Sequence, residues 1–253
     1  MAKVLKTVLI TGAARRMGRA IALHLGSHGW SVAVHYNSSQ ADAEETVALL
    51  HEKGAHAAAL NADLAQEDDT QRLVARAREA IGPLTALVNN ASVFESDTIA
   101  TMTRSSWDKH METNLRAPLV LAQNFAEQLP DGEGAIVNLL DQRVLKPTPQ
   151  FLSYSLSKAG LHWLTVTLAQ GLAPRVRVNA VAPGPTVRNA RQSEADFERQ
   201  QGATILGRGA EAKDVAAATR YLLEARAVTG QVIAVDGGQH LVWRTADVTD
   251  VIE

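Results

Sequence analysis

Cysteine is absent from the 253 residues. Its absence excludes disulfides, thiol nucleophiles and thiolate-bound metals together, and it suits a reducing compartment. Neither sign of charge dominates: 25 basic against 27 acidic residues leave a net charge of −2, so no electrostatic footprint for nucleic acid is present. No uninterrupted run of about 18 apolar residues occurs, which excludes a membrane-spanning helix on sequence grounds. The start, Met1-Ala2-Lys3-Val4-Leu5-Lys6, lacks the apolar core of a signal peptide. The expected location is therefore the cytoplasm. None of the eight histidines forms a ligand-spaced set, so no metal is expected. Low-complexity segments, internal repeats and Pro/Gly/Ser-rich hinges are also missing, so nothing divides the chain.

What is present is a regular alternation. Hydrophobic residues make up 46% and charged residues 21%, ample for a sizeable core. Short apolar runs at Val8-Leu9-Ile10, Val32-Ala33-Val34, Ala57 to Leu60, Ala86-Leu87-Val88, Ala135-Ile136-Val137, Val176-Arg177-Val178 and Val232 to Val235 read as seven strands. Near-continuous apolar character suits strands covered on both faces, as in parallel sheets. Amphipathic segments lie between them, with Met17, Ala20, Ile21 and Leu25 forming one helical stripe. The expectation is an α/β chain: a doubly wound, seven-stranded parallel sheet flanked by helices, forming a single domain over residues 1–253. Residues 187–208 read as an irregular loop and helix, made polar by Arg188, Arg191 and Glu194, and substrate choice is expected there. Residues 239–253 form a polar tail that either docks on a neighbouring subunit or frays.

The first strand runs into Thr11-Gly12-Ala13-Ala14-Arg15-Arg16-Met17-Gly18 and then a helix. Small residues at such a turn let backbone amides approach a pyrophosphate at a helix N-terminus. Arg16 stands where a further glycine is expected. The second strand ends Val34-His35-Tyr36-Asn37-Ser38-Ser39, with no carboxylate for a ribose 2′-hydroxyl. Hydroxyl and amide donors at Asn37, Ser38 and Ser39, beside the Arg15 guanidinium, suit a 2′-phosphate instead. The cofactor expected is NADP(H).

Tyr154 and Lys158 lie four residues apart and so share a helix face. A lysine ammonium beside a phenol favours the phenolate, which predicts a Tyr154 pKa below the usual value of about 10. Asp141 precedes Tyr154 by thirteen residues.

Together these segments resemble the short-chain dehydrogenase/reductase family over essentially the whole chain, which implies its Rossmann-type fold. Thr11-Gly12 through Gly18 is similar to the family's cofactor loop, and Asp63 to its adenine-contacting acid. Asn89-Asn90-Ala91-Ser92 resembles its fourth-strand motif, Asn114 its structural and catalytic asparagine, Tyr154 and Lys158 its YxxxK pair, and Pro183-Gly184 the turn bordering the nicotinamide. The resemblance implies cofactor contacts from Gly12, Arg15, Arg16, Met17 and Gly18 in the loop, and from His35, Tyr36, Asn37 and Ser38 after the second strand. Further contacts are implied from Asp63, Leu64, Asn90, Ala91, Ser92, Tyr154, Lys158, Pro183, Gly184 and Thr186, the last to the carboxamide or a phosphate. Three departures, at Asp141, Arg16 and Ser92, resemble the pteridine reductase branch, in which an aspartate replaces the usual serine. Phe94 matches that branch's pterin-stacking aromatic.

The implied reaction is NADPH-dependent reduction of a C=N bond in a pterin, with dihydrofolate or dihydromonapterin-type compounds as neighbours. Tyr154 is then the general acid, Lys158 holds the nicotinamide ribose, and Asn114 and water replenish the proton. An ionised aspartate repels a developing alkoxide, so Asp141 fits C=N reduction better than ketone reduction. A carboxylate that only orients Tyr154, or pairs with Arg143, stays open. So do two jobs for Arg16, cofactor phosphate or substrate edge; the expected substrate contacts are Arg16, Ser92, Phe94, Asp141 and Tyr154. A carbonyl or 3-oxoacyl reductase and a non-catalytic NADP(H)-binding redox sensor are the competing readings. Phe151, Trp163 and Leu164, on or before the catalytic helix, are expected at an interface between copies, in a homotetramer or dimer. His162 is expected to pack or lie exposed.

Overall fold

The computed structural model describes residues 6–129, 132–188 and 191–245. Strands β1 (Thr7–Ile10), β2 (Ser31–Tyr36), β3 (Ala57–Asn61), β4 (Ala86–Asn89), β5 (Gly134–Leu139), β6 (Val176–Pro183) and β7 (Val232–Val235) form one sheet. Its order is β3-β2-β1-β4-β5-β6-β7, with every neighbouring pair parallel. The helices are α1 (Arg16–Gly26), α2 (Gln40–Glu52), α3 (Glu67–Ile81), α4 (Arg104–Met111), α5 (Ala117–Glu127), α6 (Leu152–Gly171), α7 (Glu194–Gly202) and α8 (Ala212–Glu224). All seven expected strands are present.

Because successive side chains of a strand point to opposite faces, each apolar run feeds two cores. Val8, Ile10, Val32, Val34, Val88 and Val137 pack with Ile21, Leu25, Leu50 and Leu222 of α1, α2 and α8. Leu9, Ala33, Leu87 and Ile136 pack on the other side with Leu73, Leu121, Phe125 and Ala169 of α3, α5 and α6. β6 runs five residues past the apolar triplet. Its Arg177 side chain donates to the carbonyls of Leu222 and Leu223 at 2.8 and 2.6 Å, and Asn179 donates to Val228 O at 2.8 Å. Polar side chains continue a buried strand here because the end of α8 and the turn after it receive them.

The strand order reverses between β1 and β4, so the crevice beyond their carboxyl ends is where an open α/β sheet binds ligands. Two features shape that crevice. Gly18 lies so close to the first turn that a Cβ would meet the Gly12 carbonyl oxygen and fall 2.6 Å from Asn90 Nδ2. At the other end, Asp236 accepts from Gly238 N at 2.9 Å and His240 N at 2.8 Å, and Lys146 donates to Val242 O at 3.0 Å. The opening residues of the expected tail are thus fastened as a 3₁₀ turn, Gln239–Leu241; residues 246–253 lie outside the described residues. Replacing Gly18 by alanine forces backbone apart and is expected to weaken NADPH binding at least about tenfold, since overpacking costs about 1–3 kcal/mol. Fluorescence titration checks this, and unchanged affinity contradicts the close approach.

Candidate active site

A cleft of about 980 Å³ opens at the reversal point. Its floor at the β1 end is a hydrogen-bonded knot. Thr11 Oγ1 accepts from the amides of Asn90 and Ala91 at 2.9 and 3.0 Å, and Asn90 Nδ2 donates to Thr11 O and Gly12 O. Gly12 N donates to Nδ1 of His35 at 3.0 Å, while Nε2 of the same ring meets Ala62 O at 3.1 Å. An acceptor at Nδ1 and a carbonyl at Nε2 specify one neutral tautomer. Burial holds the His35 pKa down at about 4. His35 is therefore a strut joining the ends of β1, β2 and β3, with both ring nitrogens in use.

Gly12, Arg15, Arg16, Met17, Gly18, His35, Asn37, Asp63, Leu64, Asn90, Ala91 and Ser92 line this half of the cleft. Tyr36 and Ser38 do not: Tyr36 turns to pack on the α1/α2 core, and Ser38 is exposed. Arg15 pairs with Asp42 of α2 at 2.5 Å, and Asn37 donates to Asp63 Oδ1 at 3.3 Å. Arg16 has φ of 51°, which explains why a glycine is expected there. Its guanidinium donates to Val187 O and Arg188 O at 2.9 and 3.2 Å. It thus ties the loop to the flap, a job outside the two left open above.

In the other half, Asp141 follows β5, and α6 presents Tyr154 and Lys158, both buried. The phenol donates to Asp141 Oδ2 at 2.9 Å. Arg143 Nη1 approaches both Asp141 oxygens at 3.2 and 3.3 Å, and Arg143 N donates to Oδ1 at 2.9 Å. Tyr154 pairing and the Arg143 salt bridge, set out above as alternatives, coexist. Lys158 Nζ donates to Leu139 O at 2.7 Å and stands 5.9 Å from the Tyr154 ring centre. The expected lowering of the Tyr154 pKa by Lys158 is overturned. Burial, then the Asp141 charge and hydrogen bond, raise it well above 10. Burial also lowers Lys158 to about 8, with Asp141 opposing.

Phe94 lines the cleft, but one ring face is taken: Phe151 stacks on it at 4.5 Å and 12°. Tyr154 meets Phe94 edge-on at 4.7 Å, and Arg191 of the flap lies 5.7 Å from its ring centre. Phe151, expected at an interface, is thus a cleft residue. Trp163 is 75% exposed. Asn114 does not line the cleft. It sits in a single π-helical turn, Glu112–Arg116, where its amide pairs with Val93 N and O at 2.8 and 3.0 Å and donates to Ser157 Oγ at 3.0 Å. The structure makes its side chain a clamp between the β4 loop and α6. Pro183, Gly184 and Thr186 border the cleft between β6 and the flap, and Thr186 Oγ1 donates to Gly184 O at 3.1 Å. Gln142, Arg143, Phe151 and Gln239 also line the cleft. Sequence reasoning did not place them there; only the neighbourhood of Asp141 signalled the first two.

A proton-donor pair beside a dinucleotide crevice on a doubly wound sheet defines a nucleotide-dependent oxidoreductase. The chain belongs to the short-chain dehydrogenase/reductase family. A family model described as Enoyl-(Acyl carrier protein) reductase matches residues 12–240. The 3-oxoacyl-[acyl-carrier-protein] reductase FabG of Staphylococcus aureus is 34% identical over 94% of this chain and 100% of its own. Among solved structures, FolM alternative dihydrofolate reductase 1 of Brucella canis, complexed with NADP, is 45% identical with a TM-score of 0.91, covering 97% of this chain and 98% of that one. Its Brucella suis counterpart, also with NADP, gives 45% and 0.90 over 96% and 99%. No helix among the described residues is long and apolar enough to cross a membrane, and none of their acidic and histidine side chains group as a metal site.

Two outcomes follow from these titrations. Because His35 must accept from Gly12, His35→Leu is expected to weaken NADPH binding about tenfold, the cost of leaving a buried amide unpaired, with little change in far-UV circular dichroism; unaltered affinity refutes the strut. Burial makes Lys158 lose its ammonium as pH rises through about 8. Since kcat/KM for NADPH reports the free enzyme, it is expected to fall above about pH 8. A flat profile to pH 9.5 or so, where most of a lysine of that pKa is neutral, counts against the assignment.

Proposed function

We propose that the chain is an NADPH-dependent reductase acting on a C=N bond of a pterin, with dihydropteridine, dihydrofolate or dihydromonapterin-type substrates in range. The observation that supports this reading is the 2.9 Å hydrogen bond joining Tyr154 to the carboxyl group of Asp141, an acid pair that can hold one proton more than a tyrosine beside a serine and so has one to give to a ring nitrogen. The 45% identity to the Brucella FolM proteins, against 34% to FabG, supports the same choice. NADP(H) is the cofactor: the strand-end donors lack a carboxylate on β2, and both Brucella neighbours hold NADP. The residues fit it, since Gly12, Arg15, Arg16, Met17 and Gly18 line the cleft at the start of α1, where a helix N-terminus offers its amides to a phosphate.

The bound cofactor supplies a hydride. The C=N electron pair moves onto nitrogen, which takes a proton from the Asp141–Tyr154 pair. With Asp141 ionised, a tyrosinate beside it is strongly disfavoured, so the pair must carry one extra proton for the step to run. As the proton leaves, Asp141 becomes a carboxylate facing Arg143, which receives the charge. Lys158, on the far side of the tyrosine ring, holds the cofactor ribose, and Phe94 with Phe151 forms the apolar wall for a flat ring. Residues 187–208 supply the remaining wall through Val187, Arg191, Gln192, Phe197 and Gln200. Exposed Leu156 and Trp163 on α6 are the surface a second copy would cover in a homotetramer.

The runner-up is a 3-oxoacyl or other carbonyl reductase, favoured by the FabG match and the family model. A panel of dihydrobiopterin, dihydrofolate and an acetoacetyl thioester, followed by NADPH oxidation, separates the two. Turnover of the pterins is expected, and Asp141→Ser should lower it about 10²-fold, the scale of a placed general acid, with NADPH affinity held. A serine variant as fast on pterins as the parent sinks the role of Asp141. Binding of NADPH with no oxidation by any acceptor leaves the redox sensor.

A further inference from the structure

The catalytic helix begins abnormally. Its N-cap, Phe151, has left-handed backbone angles (φ 56°, ψ 50°) and caps nothing with its side chain. The first amides of a helix need acceptors, and here a distant residue supplies them. Asp97, in the loop after β4, is 3% exposed. Its backbone oxygen accepts from Leu152 N at 3.2 Å, and its Oδ1 accepts from Ser153 N at 3.0 Å. Oδ2 takes a short hydrogen bond from Ser153 Oγ and another from Ser106 Oγ at 3.1 Å.

His110 completes the knot. It is fully buried on α4. Its Nε2 accepts from Glu95 N at 3.1 Å, so in the neutral ring the proton sits on Nδ1. Nδ1 faces Ser106 O at 2.8 Å and Ser153 Oγ at 2.7 Å. The ring lies edge-on to Tyr154, with centres 6.1 Å apart. Three donors and the positive end of α6 compensate one buried carboxylate, which has no salt-bridge partner among the described residues. The same loop carries Phe94 at one end and Asp97 at the other, so this knot sets the phenol and its aromatic neighbour against each other. None of the three residues lines the cleft.

We propose that Asp97, acting through Ser153 and His110, is a positioning residue for the proton-delivering phenol of Tyr154. The proposal rests on Tyr154 as the proton donor. A carboxylate is suited to the place because it accepts from an amide and two hydroxyls at once, which an asparagine cannot do without turning a donor toward a donor. The displaced phenol slows proton transfer while the cofactor end, braced by His35 and Gly18, is untouched.

The test is steady-state kinetics of Asp97→Asn with NADPH and whichever acceptor the panel shows to be reduced, in H₂O and D₂O. kcat is expected to fall about tenfold to a hundredfold, the scale of a misplaced reacting group, with NADPH affinity unchanged and a larger solvent isotope effect on kcat. Wild-type kcat and isotope effect overturn the proposal, as does loss of kcat and NADPH affinity together, which marks a general loss of fold. Should Asp97→Asn not fold, Ser153→Ala decides: it removes the hydroxyl between Asp97 and His110 but keeps the amide bond, and the same kcat and isotope signature is required. Tyr154→Phe is measured alongside. Turnover surviving that change removes the proton-donor reading itself, whereas turnover lost in Tyr154→Phe and kept in Asp97→Asn removes only the positioning role.

Discussion

A buried phenol that donates its hydrogen bond to a half-buried carboxylate is the constraint around which the rest of the cleft is arranged. Lysine near tyrosine favours tyrosinate, and aspartate near tyrosine opposes it; distance decides between them. Asp141 is in direct hydrogen-bond contact at 2.9 Å, while the Lys158 ammonium is 5.9 Å from the ring centre and donates elsewhere. Burial of the phenol, then the nearer charge of Asp141, sets the direction of its shift. Tyr154 therefore stays protonated across the neutral range. Arg143 makes this arrangement tenable. Its ion pair offsets the charge of Asp141 on the cleft wall, where water screens that charge only in part.

The sheet explains why these groups meet at all. β5 delivers Asp141 and β4 delivers the loop with Phe94 and Asp97 to the same edge, because adjacent parallel strands end side by side. α6 then crosses beneath that edge with Tyr154 and Lys158 on one face. On the far side of the reversal point, His35 transfers the rigidity of β2 and β3 to the glycine turn, so cofactor-side geometry is set by three strands. β4 serves both halves of the cleft, its end being tied to Thr11 on one side while its loop carries Phe94 to the other.

Strands were legible in the sequence because a buried parallel strand announces itself by an apolar run, and the two core clusters follow from simple alternation along each run. The last five residues of β6 fell outside the expected triplet, and the strand's polar Asn179 is accommodated only because the turn after α8 supplies the Val228 carbonyl it donates to. The site divides in the same way. Tyr154 and Lys158 were readable because their relation is local to one helix. His35 under Gly12, Phe151 on Phe94, and Asp97 beneath Ser153 join residues 23 to 57 positions apart, and only the topology decides such partners. Tyr36 and Ser38, expected from sequence neighbourhood beside the cofactor, are not among the residues that line the cleft, Tyr36 because strand alternation turns it to the α1/α2 core. The sign of the Tyr154 shift was misread for a related reason: it depends on a rotamer of Asp141, not on a spacing.

Arg16 shows how a local cost reveals a distant contact. A residue with a side chain at φ of 51° is disfavoured by about 1 kcal/mol relative to glycine. Glycine would relieve that strain and would leave the cofactor turn otherwise intact. What it could not do is reach the carbonyls of Val187 and Arg188, 171 and 172 residues further on. Two charge-assisted hydrogen bonds exceed the backbone penalty, so the arginine is stable in an unfavourable conformation. The same contact ties the turn after β1 to residues 187–188 through a single side chain, and its backbone angle is the visible trace of that link.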